Sequence, residues 1–338
     1  DHRDLHSFPT RRSSDLNNFR SNYTVGLTRN NYTAKVDHNI GDKNRLTGRY
    51  IYNSDDLINS TVFPIEAADT LADTIRHQQF WYGAYTRIFS PNWLNDFRFT
   101  YGNRVNWAKS KGVGGTWPST LGIKGVPDVA FPQFNVNGVT AIGSNAQERQ
   151  QFPIEQTQFV NNMTVIRGRH TFKFGGEWRT SKNYEINRPT ASGAFTFSPL
   201  GTGRPGATTT GLGYSTMLLG FATNFASRET DILDRYSHYM AAFVQDDWTV
   251  SRDLTLNLGL RWETDTPITD RNNRFNSFDL AQINPVSGTP GVVKFGGVNG
   301  WRDSVYNTDW NNYGPRFGFA WKPRSEEHTS ELQSLTNL

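Results

Sequence analysis

Apolar and polar residues alternate along several stretches of the chain, and these stretches come in pairs separated by a short turn. In residues 32–40 the even positions are mostly apolar or aromatic, whereas the odd positions are polar. Residues 41–44, Gly-Asp-Lys-Asn, have the composition of a turn, and the alternation resumes over residues 46–52. A period of two on both sides of such a turn predicts a β-hairpin.

The same arrangement recurs three more times, with turns predicted at 90–92, 167–170 and 251–253. A further strand is predicted at Tyr313–Trp321, and a short one at Ala194–Phe197. The pattern therefore predicts an all-β chain with about nine long strands of about ten residues each. The apolar series in the three later hairpins are Phe80, Tyr82, Ala84 and Ile88; Trp93, Phe97, Phe99, Tyr101, Val105 and Trp107; Phe159, Met163 and Val165; Phe172, Phe174 and Trp178; Met240, Ala242, Val244 and Trp248; and Leu254, Leu256, Leu258, Leu260 and Trp262.

Short and long connections alternate between the predicted strands. The long connections are predicted at 54–76, 108–155, 182–235 and 264–311, and they are rich in Gly, Pro, Asn, Ser and Thr. Outer-membrane barrels have short periplasmic turns at one end and long extracellular loops at the other. In a soluble sandwich, four irregular loops of this length would count against the assignment. The asymmetry therefore favours a transmembrane barrel.

The other face of the predicted strands carries charges of both signs, as expected of a hydrated barrel lumen. A plain solvated sheet face has the same periodicity, so alternation alone leaves both interpretations open. We expect Leu256, Leu258 and Leu260 to face lipid, and Asn257 and Arg261 to face the lumen. The charged positions are Lys35, Asp37, Arg45, Arg49, Arg98, Arg104, Lys173, Glu177, Arg179, Asp247, Arg261, Glu263 and Arg316.

The composition agrees with a barrel wall. Aromatic residues make up 14% of the chain, whereas hydrophobic residues reach only 36%, which is low for a soluble core of this size. The longest apolar run, at 217–222, is too short to span a bilayer as a helix. Cysteine is absent, which excludes disulfides and thiolate metal sites. The net charge of +4 is spread along the chain, so no nucleic-acid-binding arm is expected.

The two ends of the sequence differ from the part between them. Residues 6–16 and 324–334 resemble translations of the two ends of a common short-read sequencing adapter, and neither run alternates. We therefore expect 1–16 and 324–338 to be artefact tails and 17–323 to be a partial outer-membrane β-barrel domain. Natural disordered tails are the alternative interpretation.

Two stretches resemble a known family. Residues 242–250 (AFVQDDWTV) and 254–263 (LTLNLGLRWE) resemble a barrel hairpin of TonB-dependent receptors, with the Oar-like branch nearest. Residues 34–50 and 306–318 are similar to other segments of that branch, which carries a carboxypeptidase-regulatory-like domain before the plug. The resemblance implies a bacterial outer-membrane location, outer-membrane lipid around the wall, and a 22-strand barrel of which this chain holds about nine or ten strands.

The same resemblance implies a receptor that takes up a large or scarce extracellular ligand and is energised by the TonB complex. The plug and the energy-coupling box of that family precede the barrel, and neither is recognisable in these residues. The resemblance implies that Trp248 anchors at the periplasmic interface. Asp246 is expected to accept backbone N–H groups near the turn at 251–253.

No motif in the sequence predicts catalysis, and the chain is not expected to be an enzyme. The glycine pattern at 201–206 lies in a loop rather than between a strand and a helix, so it is not expected to bind a dinucleotide. We predict no catalytic, cofactor-binding or metal-binding residues; the substrate-binding residues are unknown. Five acidic residues are predicted to lie in a solvated surface loop: Asp55, Asp56, Glu66, Asp69 and Asp73. The histidines His38, His77, His170 and His238 lack metal-ligand spacing.

Three functions remain open from the sequence. The first is the wall of a transporter whose loops capture a ligand. The second is a surface or adhesion barrel that only displays its loops. The third is a secreted glycan-binding β-protein, in which sugars would stack on Trp81, Trp107, Trp117 and Trp301.

Overall fold

The computed structural model describes residues 21–207, 210–230, 232–304 and 306–322, with 150–154 described by their backbone alone. The expected artefact tails at 1–16 and 324–338 lie outside the described residues. None of the helices in the described ranges is long and apolar enough to cross a membrane.

Nine long antiparallel strands form one sheet, so the predicted number of long strands is confirmed among the described residues. Their order in the sheet follows their order in the chain, and the two-residue strand β12 (Thr269–Asp270) adds to the side of β10. The nine strands are β1 (Val25–Ile40), β2 (Asn44–Asn59), β3 (Ala72–Ser90), β4 (Trp93–Ser110), β6 (Glu148–Arg167), β7 (His170–Arg188), β10 (Leu233–Thr249), β11 (Leu254–Asp265) and β15 (Tyr313–Trp321).

The remaining elements are short and lie in the long connections. β8 (Thr190–Phe197), predicted from its last four residues, pairs with β5 (Gln133–Val136) and β9 (Asn224–Arg228). β13 (Asn276–Ile283) and β14 (Pro290–Phe295) form a separate hairpin. Two short α-helices, α1 (Trp117–Thr120) and α2 (Gly213–Leu218), and 3-10 turns at Glu66–Ala68 and Pro199–Thr202 complete the connections.

All four predicted tight turns are confirmed, and they lie at the same end of the sheet. Gly41 and Gly168 occupy two of them with φ of 62°, a left-handed conformation that glycine adopts without a steric penalty. The opposite end carries the connections 60–71, 111–147, 189–232 and 266–312. The alternation of short turns and long connections is therefore present in the structure.

The strands are longer than predicted, and the loops are correspondingly shorter. Seven of the nine long strands have 16 to 20 residues, for instance β2 and β6. The added residues lie at the loop end, where polar residues occupy both faces beside a few apolar ones such as Ile58 and Ile75, and the alternation is irregular. Residues 54–59 of β2, predicted as loop, pair instead with β1, and residues 54–57 pair also with β3.

The register places the apolar side chains on one face of the sheet, because directly opposed residues project to the same side. Tyr50 lies opposite Trp81, Phe99 opposite Phe159, and Phe159 opposite Trp178. The same face continues across the remaining strands. We call it the apolar face, and it includes Tyr50, Trp81, Phe99, Phe159, Trp178, Val244, Leu256, Leu258, Leu260, Phe317 and Phe319.

The apolar face differs from the prediction in β3. The register pairs Phe80 with Ile51 and Tyr82 with Arg49, so this predicted apolar series lies on the opposite face. Trp81 and Tyr85 occupy the apolar face instead. Strand β3 has aromatic residues at both odd and even positions, and only the pairing with β2 resolves which set shares a face with the neighbouring apolar residues.

Candidate functional site

The face opposite the apolar face carries all thirteen charged residues predicted to share one side. We call it the charged face. The ion pairs on this face include Lys35–Asp37 (2.6 Å), Arg98–Asp96 (2.6 Å) and Lys173–Asp247 (2.9 Å). These side chains are partly exposed, so each pair contributes at most about 1 kcal/mol to stability. Their significance is that mixed charge on one face and apolar residues on the other suit a hydrated lumen and a lipid exterior.

A hydrogen-bonded cluster of charged residues lies on the charged face near the loop end. Arg261 Nη2 donates to the Tyr239 hydroxyl oxygen (2.8 Å), and Arg261 Nε donates to Glu263 (2.8 Å). The Tyr239 hydroxyl donates to Glu263 (2.9 Å), and the Arg179 guanidinium stacks 4.6 Å from the centre of the Tyr239 ring. Arg179 also lies 3.9 Å from Glu177, so the two guanidiniums are matched by two carboxylates and the cluster presents charges of both signs to this side of the sheet.

At the turn end of the apolar face, His170 contacts one carboxylate and two aromatic rings. Its Nδ1 lies 2.7 Å from Asp246 Oδ2, and its ring stacks on Trp248 (5.2 Å) and Phe172 (5.5 Å). The prediction that Asp246 accepts backbone N–H groups is wrong, since the cross-strand imidazole takes that place. Trp248 lies at the turn end of β10, where an interfacial aromatic residue is expected.

The most organised feature of the loop end is a body formed by the connections 60–71, 111–147 and 189–232, which we call the loop body. Its centre is Gln147, which is fully buried. Gln147 Nε2 donates to the carbonyl oxygens of Gly193 (3.3 Å) and Phe131 (3.4 Å), and its Oε1 accepts from the Ser192 N–H (2.8 Å). One amide side chain thus ties the second loop to the third.

Ser192 extends this network and is also fully buried. Its hydroxyl oxygen accepts from the N–H groups of Val129 (3.0 Å) and Ala130 (2.8 Å) and donates to the Pro127 carbonyl (2.8 Å). Because the buried backbone groups are satisfied by side chains of another loop, the two loops cannot separate without leaving these groups unpaired.

Aromatic packing completes the loop body. Phe131 packs with Ala67 and Ala68 of the first loop. Phe134 stacks on Phe195 at 5.6 Å and thereby connects β5 to β8. The first loop is also joined to the second by a hydrogen bond from the Gly143 N–H to the Ala68 carbonyl (2.8 Å). Neither Gln147 nor Ser192 was singled out from the sequence, because a buried polar residue in a loop has no local signature.

The acidic positions expected in one surface loop are divided among several elements. Asp55 and Asp56 lie in β2, where they pair with Arg29 (2.5 Å) and His77 (3.0 Å). Asp69 is buried and accepts from the backbone N–H of Leu71 at 3.0 Å. The surface-loop prediction is therefore wrong for these residues. Within the described ranges, no group of three His, Asp or Glu side chains is arranged to hold a metal ion.

The four tryptophans considered for sugar stacking lie in four different environments. Trp81 stacks on Tyr50 (4.2 Å) in the apolar face, and Trp117 packs edge-on against Phe131 (5.6 Å) in the loop body. Trp301 is flanked by Lys294 and Arg302 near the β13–β14 hairpin. Trp107 lines a cleft at the loop end of β4. The tryptophans do not form one sugar-binding platform.

Asp128 in the loop body provides a pH-dependent contact. Hydrogen bonds from the Ser119 hydroxyl and from the Ser119 N–H lower the pKa of its carboxyl group. Stabilisation by these bonds is therefore complete above the ordinary aspartate pKa and is lost as pH falls through the lowered one. We expect a carbon-13 NMR titration to give a midpoint below the ordinary value and Ser119→Ala to raise it. An unchanged midpoint in Ser119→Ala would contradict the assignment.

One family profile and several solved structures match the chain. The sequence profile of the family described as "Outer membrane beta barrel domain" matches residues 4–330. No curated protein sequence matches the chain. Among solved structures, Pseudomonas aeruginosa FpvA bound to heterologous pyoverdines aligns at 12% identity and a TM-score of 0.44, over 90% of this chain and 34% of that one.

Two further structures align over comparable lengths. The outer membrane transporter YddB from Escherichia coli aligns at 12% identity and a TM-score of 0.42, over 75% of this chain and 30% of that one. The siderophore receptor PiuA from Acinetobacter baumannii aligns at 10% identity and a TM-score of 0.36, over 89% and 40%. This chain spans about a third of the length of these structures. The family profile matches nearly the whole chain, and the chain forms a large antiparallel sheet. The chain is therefore a bacterial outer-membrane protein and belongs to the outer membrane β-barrel domain family.

Proposed function

We propose that the chain forms part of the wall and the extracellular loops of a TonB-dependent receptor that takes up a large or scarce ligand. The loop body carries this proposal. Three long connections interlock through buried hydrogen bonds and aromatic packing at the loop end of the sheet, whereas loops that are only displayed need no shared core. The resemblance of residues 242–263 to a TonB-dependent receptor hairpin, with the Oar-like branch nearest, supports the same assignment.

The proposal implies three kinds of partner. Outer-membrane lipid surrounds the apolar face, and an extracellular ligand contacts the loop body. The TonB complex acts through a plug and an N-terminal region that precede the barrel, as in the family resembled. Residues 17–323 would then be barrel wall and loops. We propose no catalytic, cofactor or metal site, and the outer-membrane location excludes the secreted glycan-binding alternative.

A surface or adhesion barrel is the second candidate. Leu218 and Leu219 at the end of α2 are 72% and 71% exposed, and apolar residues at a loop tip suit contact with another surface. The upstream reading frame discriminates between the two candidates. A plug domain with an energy-coupling segment is expected for a receptor, and the complete protein should then crosslink to the TonB C-terminal domain. A frame that encodes a signal peptide directly before the barrel would favour the surface barrel.

We expect the long connections to be extracellular and the tight turns periplasmic. The chain has no cysteine, so single substitutions can be labelled without background. Val286→Cys, at a position that is 95% exposed in the β13–β14 hairpin, should react on intact cells with a membrane-impermeant maleimide. Asp42→Cys, in the turn after β1, should react only after the cells are lysed. The reverse pattern would invert the topology.

A further inference from the structure

A cleft lies at the loop end of the apolar face, beyond its aromatic band. Its volume is about 310 Å³, at the lower end of the range of about 300–1,000 Å³ that is usual for small-molecule sites. The apolar wall is formed by Ile58, Ile75 and Val113, and the polar groups come from Trp107, Lys109, Lys111, Asp73 and Glu66. None of these residues was singled out as a site from the sequence apart from Trp107.

The position of the cleft follows from the length of β4. Trp107 is 14 positions after Trp93, which begins the strand at the turn end. At about 3.3 Å per residue this is about 46 Å along the strand, or about 35 Å above the turn end for a tilt of about 40°. The lipid-facing band of such barrels is about 25 Å tall. The cleft therefore opens outward about 10 Å beyond the hydrocarbon, at the level of the outer-leaflet headgroups.

The floor of the cleft is a buried lysine in a fixed position. The Lys111 side chain is 10% exposed, and its Nζ lies 3.3 Å from Asp73 Oδ2 and 3.6 Å from Glu66 Oε1. The other oxygen of Asp73 accepts from the Asn59 N–H at 2.8 Å. The ammonium group has three protons, so these two carboxylates leave it able to donate once more into the cleft.

Two further hydrogen-bond donors line the cleft, the Lys109 ammonium group and the Trp107 indole N–H. The Lys109 ammonium lies 5.2 Å from the centre of the Trp107 ring and makes no ion pair within the described ranges. Its two cross-strand neighbours, Asp73 and Glu148, are paired with Lys111 and with Arg188, each at 3.3 Å. The Trp107 indole N–H is buried and has no acceptor among the described residues. An oxygen of a ligand would supply the acceptor that this donor lacks.

We propose that this cleft binds a saccharide that carries an acidic group, supplied by the headgroup of an outer-leaflet glycolipid. The apolar wall and the indole suit the CH face of a sugar ring, and the indole N–H and Lys109 suit its ring and acidic oxygens. Glu66, at the rim, accepts from hydroxyl groups. The headgroup source follows from the height and outward opening of the cleft, and it rests on the lipid-facing orientation of the apolar face.

The test uses the complete protein in detergent and two probes, purified lipopolysaccharide and glucose 6-phosphate. Loss of one charge-assisted hydrogen bond should weaken lipopolysaccharide binding by about ten- to a hundredfold in Lys109→Met. Trp107→Phe keeps an aromatic ring but removes the N–H, and it should weaken binding about tenfold. Lys294→Met is the matched control, because Lys294 also lies over a tryptophan, at 5.6 Å from the Trp301 ring, but outside the cleft.

The outcomes are distinct. Lipopolysaccharide binding that is weakened by Lys109→Met and unchanged by Lys294→Met supports the proposal. Binding of glucose 6-phosphate with equal affinity and the same sensitivity would support the chemistry and overturn the lipid source. Unchanged binding in both Lys109→Met and Trp107→Phe, or an equal loss in Lys294→Met, would overturn the site. A failure here leaves the receptor proposal intact, because that proposal depends on the TonB crosslink and the upstream plug.

Discussion

Leu260→Arg is expected to destabilise the folded barrel in lipid by about 2–4 kcal/mol, the cost of an arginine on the lipid face near mid-membrane. Leu260 lies on the apolar face, is 44% exposed and faces Val244 and Pro315 on its two neighbouring strands. Neither neighbour can pair with a guanidinium. Leu258 is a weaker choice, since it lies opposite Asp246, which could compensate the new charge. The measurement is reversible unfolding of the complete protein in liposomes.

Asn257→Arg is the matched control, on the same strand but on the charged face. It lies opposite Asp247, so an arginine there meets water and a carboxylate, and its cost should be below about 1 kcal/mol. Equal losses of stability in the two variants would show that neither face of β11 contacts hydrocarbon. A larger loss for Asn257→Arg would reverse the assignment of lipid and lumen.

Gln147→Leu is expected to release the loop body while the barrel stays folded. The substitution leaves the buried Ser192 N–H without its acceptor, at a cost of about 1–3 kcal/mol, and the Phe131 and Gly193 carbonyls without their donor. Local opening should then become about 5- to 150-fold more frequent. Trypsin added to intact cells should cut after Lys124 faster by the same factor, because cleavage tracks the open population when reclosing is fast.

Gln79→Leu provides the control for this prediction. Gln79 is an exposed residue of β3, and the same chemical change there should leave the trypsin rate unchanged. Heat-modifiable migration in gels should be retained by both variants, which shows that the barrel is folded. If Gln147→Leu resists trypsin like the unaltered protein, the loop body is held by its aromatic packing rather than by the Gln147 network. If uptake also falls in Gln147→Leu alone, the loop body is the ligand-capturing part.

The sequence by itself determined the fold class and the division of the connections into short turns at one end and long loops at the other. A period of two is a local property, so it is legible wherever one face of a strand is apolar and the other is polar, as in residues 254–262. Tight turns likewise depend on a few neighbouring residues, which is why all four were predicted. The alternation of short and long connections followed from these positions, and with it the outer-membrane interpretation.

Only the tertiary structure decided the rest. Strand β3 has aromatic residues at both odd and even positions. Which of them lie on the apolar face depended on hydrogen bonds to β2 rather than on the residues of β3 themselves. The polar ends of the strands do not alternate, so their extension beyond the membrane band depended on pairing with neighbours. Gln147 meets Ser192 across 45 positions of sequence, and the cleft draws Ile58, Ile75 and Trp107 from three strands. Such contacts arise from the closing of long loops, and no local pattern in the sequence encodes them.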